Sequence, residues 1–351
     1  MTTLLAPPPA LASVATPRPP APAKVATGWL FGPAFDTLFV ANLLWPLVVV
    51  ACLPSADLMQ PLSLIQIYFL SSPHRWITLV LVFLDRDRFL KEPLKFGGVG
   101  IGLIALGLAL VALADVWPWA TDSLMLLMIL DYIWNAWHFA SQHAGIARIY
   151  GRMTNPVATL RVVAFEKAAI RTLVLWAFFR LALVVAGRKT DLPVTGLADL
   201  GPWLGWLDPL FLVAPLVLLV RELASYRPAA RGRVLYIASV ILVYSGQLIA
   251  LHTGHDGLVV GFLMASAVFH ATEYLAVCSW ALRKKTTGVW KHQLARTGLA
   301  LAAFMAMIGV ANLAIDRQSA YMWALITLLV SLLHYGYDGM IWKARPAPKA
   351  H

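Results

Sequence analysis

Apolar runs long enough to cross a bilayer recur along nearly the whole of this chain, and that recurrence narrows the fold to a bundle of membrane-spanning helices. The 351 residues are 60% hydrophobic and only 13% charged, and mean hydropathy is +0.73. No soluble domain of ordinary composition looks like this. The sequence therefore predicts an all-α, polytopic integral membrane protein. Ten spans are expected, at about 36–53, 60–84, 97–117, 121–145, 169–187, 203–220, 232–252, 257–281, 294–315 and 319–341. Pro73 interrupts the second and predicts a kink or a break there.

Around this single domain, residues 28–343, lie two tails. Residues 1–27 are rich in Pro and Ala and predict a disordered cytoplasmic tail; residues 344–351 form a short basic one. No basic segment precedes an apolar one at the N-terminus, so no signal peptide is expected. Trp29 and Phe31 suit the membrane interface. Cys52 and Cys278 both fall inside expected spans and offer neither a disulfide framework nor a zinc-finger spacing.

Loop charges set the orientation. Lys and Arg crowd the segments after spans two (Arg86, Arg88, Lys91, Lys95), four (Arg148, Arg152, Arg161, Lys167), six (Arg221, Arg227, Arg231, Arg233), eight (Arg283, Lys284, Lys285, Lys291) and ten (Lys343, Arg345, Lys349). The alternate loops are nearly free of them. By the positive-inside rule both termini are cytoplasmic, and a bacterial inner membrane is the expected location. The net charge of +11 is thus assigned to orientation and anionic lipid headgroups, with no nucleic-acid partner.

Within the fourth span, Asp131, Asn135, His138 and Gln142 recur at helical spacing and form one polar stripe. Each unpaired polar group costs several kcal/mol in hydrocarbon, so the stripe is expected to face a protein interior. Four histidines, His74, His138, His270 and His334, lie on spans two, four, eight and ten, all of which run from outside to inside. The first basic cytoplasmic residue follows them by twelve, ten, thirteen and nine positions. At about 1.5 Å per residue the four imidazoles fall within roughly one helical turn of a common plane.

Three of these helices add a carboxylate. Asp131 lies two turns before His138, Glu273 three residues after His270, and Asp338 four residues after His334; i+3 and i+4 positions share a helix face. Helical-bundle di-iron and di-manganese sites use the i, i+3 spacing in the opposite order, Glu-x-x-His. His143, five residues past His138, is a further candidate in an outer position. The expected metal-ligating set is His74, Asp131, His138, His143, His270, Glu273, His334 and Asp338. The competing reading gives Glu273 and Asp131 to the deep arginines Arg75 and Arg180 as salt-bridge partners, and each histidine to an interhelical hydrogen bond.

Aromatic residues divide by depth. Trp117, Trp119, Trp203, Trp206, Trp290 and Trp342 fit an interfacial belt. Trp76, Trp134 and Trp137 lie nearer the polar plane, as do Tyr132 and Tyr337. Tyr274 and Tyr335 are the candidate catalytic phenols, able to donate a proton or a hydrogen bond beside a metal. His252, His255 and Asp256 are expected in an exposed outer loop.

The segment His138-Phe-Ala-Ser-Gln-His143 resembles, in its H-x4-H spacing, the first histidine box of membrane desaturases and hydroxylases. The resemblance covers six residues, and the H-x-x-H-H boxes of that family are absent. Four histidines and two or three carboxylates without cysteine suit a first-row metal, iron first, as one ion or a pair; zinc, copper and manganese also accept such donors. The expected activity is oxidation of a hydrophobic lipid, isoprenoid or quinone-like substrate by hydroxylation, desaturation or oxidative cleavage. Membrane lipids and a cytoplasmic electron-donor protein are the expected partners. Alternatives are a haem protein using two of the histidines, with Arg75 or Arg180 on the propionates, a proton-coupled transporter with a His/Asp/Glu relay, and a scaffold subunit of a membrane complex.

Overall fold

A computed structural model describes residues 28–54, 67–83, 89–114, 116–155, 158–188, 199–283 and 298–342. The two tails lie outside the described residues, as do residues 60–66 of the second expected span and Arg86, Arg88, Lys284, Lys285, Lys291 and Lys343. Among the described residues all regular structure is helical. Ten segments follow one another: α1 (Pro33–Cys52), α2 (Ile67–Phe83), α3 (Pro93–Ala114), α4 (Pro118–Thr154), α5 (Leu160–Arg188), α6 (Gly201–Ala224), α7 (Arg231–Thr253), α8 (Asp256–Arg283), α9 (Gly298–Gln318) and α10 (Ala320–Ile341). Eight are long and apolar enough to cross a membrane. The other two are α2, short in its described part, and α4, whose polar stripe dilutes an otherwise apolar helix of 37 residues.

Pro73 does not break its helix. A π-helical turn, Ile67–Ser71, runs directly into the α-helix Ser72–Phe83. Pro73 therefore follows a wider helical turn, the kind of local adjustment that accommodates a residue with no N–H to give the ladder.

Packing against α1 explains two glycines of α8. A Cβ at Gly257 would stand 2.6 Å from the carbonyl oxygen of Leu53, and one at Gly261 would stand 2.9 Å from that of Val49. The start of α1 is pinned differently. The Asp36 carboxylate accepts the backbone N–H groups of Leu30 (2.6 Å) and Phe31 (3.0 Å) and the Tyr150 hydroxyl of α4 (2.8 Å).

The antiparallel trio α5, α6 and α7 is tied at both ends by buried charge. At one end, Arg233 of α7 meets Glu222 of α6 at 2.7 Å and Glu166 of α5 at 2.9 Å, and Arg221 meets Glu166 at 2.6 Å. At the other, Asp208 of α6 accepts from Arg180 (3.0 Å) and Trp176 (2.7 Å) of α5, with the His252 ring of α7 at 3.0 Å. From Glu166 to Arg180 the helix rises about 21 Å. Ions this deep hold only because each is paired, and the pairing sets which helix end meets which.

Beside this trio, α2, α4, α8 and α10 close a ring: α2 packs on α10, α10 on α4, α4 on α8, and α8 on α2. Each contributes one of the four histidines. Where α7 begins, a Cβ at Gly232 would lie 2.5 Å from the Gly28 carbonyl and 2.9 Å from the rings of Trp29 and Tyr150. Gly232→Ala is therefore expected to cost about 1–3 kcal/mol, read as a lowered unfolding midpoint in detergent. Gly102→Ala, where a Cβ meets nothing within 4 Å, should leave the midpoint unchanged or raise it.

Candidate metal centre

His74, His138, His270 and His334 converge inside the α2–α4–α8–α10 ring. Their exposures are 4%, 8%, 0% and 0%. Ring centroids lie 5.1 Å apart for His74–His270 and His74–His334, 4.9 Å for His138–His270 and 4.6 Å for His138–His334, all in edge contact. One donor atom each from His74, His270 and His334 falls within 4.8 Å of the other two, and the same holds for His138, His334 and Asp338. The two triads share His334.

Both nitrogens of His270 lack a hydrogen-bond partner among the described residues. What orients that ring is a stack on Phe139, at 3.7 Å between centroids and 12° between planes. A buried imidazole with no partner for either nitrogen forfeits its hydration, at a cost of about 1–3 kcal/mol per group. Its ring faces three other imidazoles, and a cation among them would use the free lone pair.

His334 is held from behind. Its Nδ1 lies 2.7 Å from Thr78 Oγ1, which also contacts Tyr274 OH at 2.6 Å and donates to Asp338 Oδ1 at 3.2 Å. Tyr274 donates to the same carboxylate oxygen at 2.5 Å. The other oxygen, Oδ2, faces the centre, 3.9 Å from His138 Nε2. The front nitrogen of His334 lies 3.0 Å from His138 Nε2. Two ligands about 2.1 Å from one ion and at right angles to each other stand about 3.0 Å apart, so this spacing suits adjacent donors.

His143 and Glu273 form a separate buried network. Glu273 Oε1 lies 3.0 Å from His143 Nδ1 and accepts from Gln142 at 2.7 Å; Oε2 accepts from Tyr236 at 2.7 Å. The second nitrogen of His143 meets Tyr244 OH at 3.0 Å. Both His143 nitrogens and both Glu273 oxygens are thus engaged within the protein. Three residues along α8 turn the helix by about 300°, enough to send His270 to one interface and Glu273 to the next. Five residues along α4 do the same for His138 and His143. Gln142 joins the two regions, since its amide also donates to the His270 carbonyl at 2.9 Å.

The remaining candidates fall around the centre. Arg75 is an electrostatic neighbour of His74, His138 and His334, and Asp131 is one of Arg75. Arg75 works against a cation in the centre; Asp338 and Asp131 offset it. Arg180 is not brought to the histidines; its contacts are Asp208 and the Gly201 carbonyl. Tyr335 donates to Asn135 at 2.9 Å, and its ring lies 5.0 Å from that of His138. The α4 stripe faces α8 and α10, through Asn135–Tyr335, His138–His334 and Gln142–Glu273. His252, expected in an exposed outer loop, is half exposed and pairs with Asp208.

Thr78 escaped the sequence reading because a lone threonine in a span carries no charge signal. Its spacing did mark it, four residues after His74 and so on the same helix face. Compared with family models, with curated proteins and with solved structures, this chain matches none, so its chemistry has to be argued from the side chains. The split into two networks makes a prediction. His270→Ala should abolish retention of first-row metal by the purified protein. His143→Phe should leave metal content unchanged while lowering stability by about 3 kcal/mol, because it strips a partner from buried Glu273. Elemental analysis and detergent unfolding read the two effects separately.

Proposed function

We propose that this chain is a membrane-embedded, metal-dependent oxidoreductase acting on a hydrophobic substrate, with non-haem iron the first choice of metal. The observation that carries the reading is His270: a fully buried imidazole, unpartnered at both nitrogens among the described residues, in a ring with three others. Histidine-rich, thiolate-free donor sets suit iron, copper, zinc or manganese, and among these iron or copper brings redox chemistry. Haem fits less well. Four imidazoles in mutual edge contact occupy the space a porphyrin plane needs between two axial ligands.

Bound there, the metal supplies the electron and oxygen chemistry that side chains lack. The chain supplies the rest. Four histidines hold the ion, and Asp338 balances part of its charge from the inner side. Tyr274 and Thr78 carry exchangeable protons within a hydrogen bond of that carboxylate. Burial of all four imidazoles keeps water from a reactive centre. His138 is the most exposed of the four histidines, and the Tyr335 ring 5.0 Å from it packs on Trp134 at 6.0 Å, which makes this the approach we favour. Trp134 and Trp137 are 39% and 47% exposed, so a substrate dissolved in lipid would meet them first. A lipid, isoprenoid or quinone-like molecule undergoing hydroxylation, desaturation or oxidative cleavage fits this approach, with an electron donor docking on the cytoplasmic side.

We also read the ten helices as ten spans with both termini cytoplasmic, in a bacterial inner membrane; the alternating loop charges support this. Reporter fusions test it. A fluorescent protein that folds only in the cytoplasm should be bright when fused after residue 351, and a periplasmic phosphatase should be active when inserted in the 188–202 loop. The reverse pattern overturns the topology.

Metal analysis and an absorption spectrum on protein purified without chelator test the chemistry. Bound iron or copper with no Soret band, lost in the His138→Ala/His270→Ala double variant, is the expected result. A Soret band would move the assignment to haem. Neither metal nor chromophore would remove the oxidoreductase reading and leave a proton relay or a scaffold.

A further inference from the structure

Thr78 touches three members of the centre: the back of His334, the Asp338 carboxylate and the Tyr274 phenol. Counting protons there gives a result that distances alone do not. With Asp338 ionised, as a metal site requires, the carboxylate can only accept. The Tyr274–Asp338 contact at 2.5 Å therefore takes the Tyr274 proton. The Thr78 contacts to Tyr274 (2.6 Å) and Asp338 (3.2 Å) then take the single Thr78 proton, whichever of the two oxygens it faces. No hydroxyl proton is left for the 2.7 Å contact with His334 Nδ1, so the imidazole is the donor. A neutral His334 protonated at Nδ1 has its lone pair on Nε2, the nitrogen that faces His138.

We propose that Thr78 is the positioning residue of this centre: relaying the Asp338 carboxylate to His334 Nδ1, it fixes His334 as an Nε2 donor and makes the two overlapping triads one single-ion site. The inference rests on the metal reading above and goes further in two respects. It names the residue that sets the ligand's tautomer and orientation, a role that hydrogen-bonded groups behind a metal-binding histidine commonly fill. It also fixes the stoichiometry. His334 belongs to both triads, yet with Nδ1 committed to Thr78 it has one lone pair to give. Two ions cannot share it, and the donors of both triads close around one.

The arrangement also accounts for the helix register. Thr78 is one turn after His74 on α2, and Asp338 is one turn after His334 on α10, so the contact between these helices places ligand beside ligand and support beside support. Tyr274 of α8 completes the supporting layer, four residues after the ligand His270. Sequence spacing on three helices repeats the same offset, i and i+4.

Cobalt(II) titrated into metal-stripped protein in detergent tests the proposal through its ligand-field spectrum. Wild type should saturate at one equivalent. Thr78→Val, which keeps the shape and removes the hydroxyl, should weaken binding 10–100-fold and shift the ligand-field bands; Thr78→Ser should restore both. Equal affinity and identical spectra for the three proteins would overturn the role of Thr78, and saturation at two equivalents would overturn the single-ion site; either leaves the metal reading standing. No cobalt binding by wild type would remove the metal reading and this inference with it. A measurement on zinc-loaded wild type, which meets the condition of an ionised Asp338, stands even if Thr78→Val fails to fold. Nitrogen-15 resonances of labelled histidine, with His334 assigned by its loss in His334→Gln, should show a proton on Nδ1. A proton on Nε2 alone would contradict the relay.

Discussion

Everything about the centre follows from one constraint: a polar atom inside a bilayer protein has no water to fall back on. The chain meets that constraint with partners almost wherever the structure describes a buried charge. Arg233 faces Glu222 and Glu166; Arg180 faces Asp208; His143 faces Glu273 and two tyrosines. Among the described residues His270 has neither nitrogen partnered; Gln247 is likewise bare at both polar atoms, and Asp131 Oδ1 and Arg171 Nε lack a partner, but of these only His270 stands among other imidazoles. The bare imidazole, in edge contact with His74 and His138, is the observation behind our proposal that a cation is received there. The alternative, several kcal/mol of unrelieved desolvation in the middle of four packed helices, would be a cost without a return.

The helices themselves were plain in the sequence. Ten apolar runs correspond in order to ten helical segments, and residue spacing alone puts His74, His138, His270 and His334 at one depth, where the structure brings them together. Helical rise is nearly invariant, so counting residues to the basic loops measures depth well. Azimuth is harder. Glu273 and His143 sit at the right depth, but net rotations of about 60° along α8 and about 140° along α4 send them to the α7 side, where Tyr236 and Tyr244 engage them. Which way a helix face points depends on its neighbours, and one chain's sequence does not reveal neighbours.

Two further features were hidden for related reasons. Asp208, the partner of Arg180, lies close to the start of α6, and only the antiparallel packing of α5 and α6 brings it alongside. Thr78 is uncharged and common in helices of any kind; its importance arises from the proton count among four groups on three helices. Local spacing showed that Thr78 shares a face with His74, and nothing local showed that the face meets Asp338. Where a ligand comes from was legible; what holds the ligand in place was not.

The most direct test of the account is X-ray absorption at the edge of whatever first-row metal accompanies the protein through purification. The account predicts a single class of ion, with three to four imidazole ligands evident in the extended fine structure, light-atom neighbours at about 2.0–2.2 Å, and no sulfur and no metal–metal vector. Loss of the imidazole signal in His270→Ala should follow. A porphyrin signature, a metal–metal distance, or a metal bound only through water and carboxylate oxygen would contradict it.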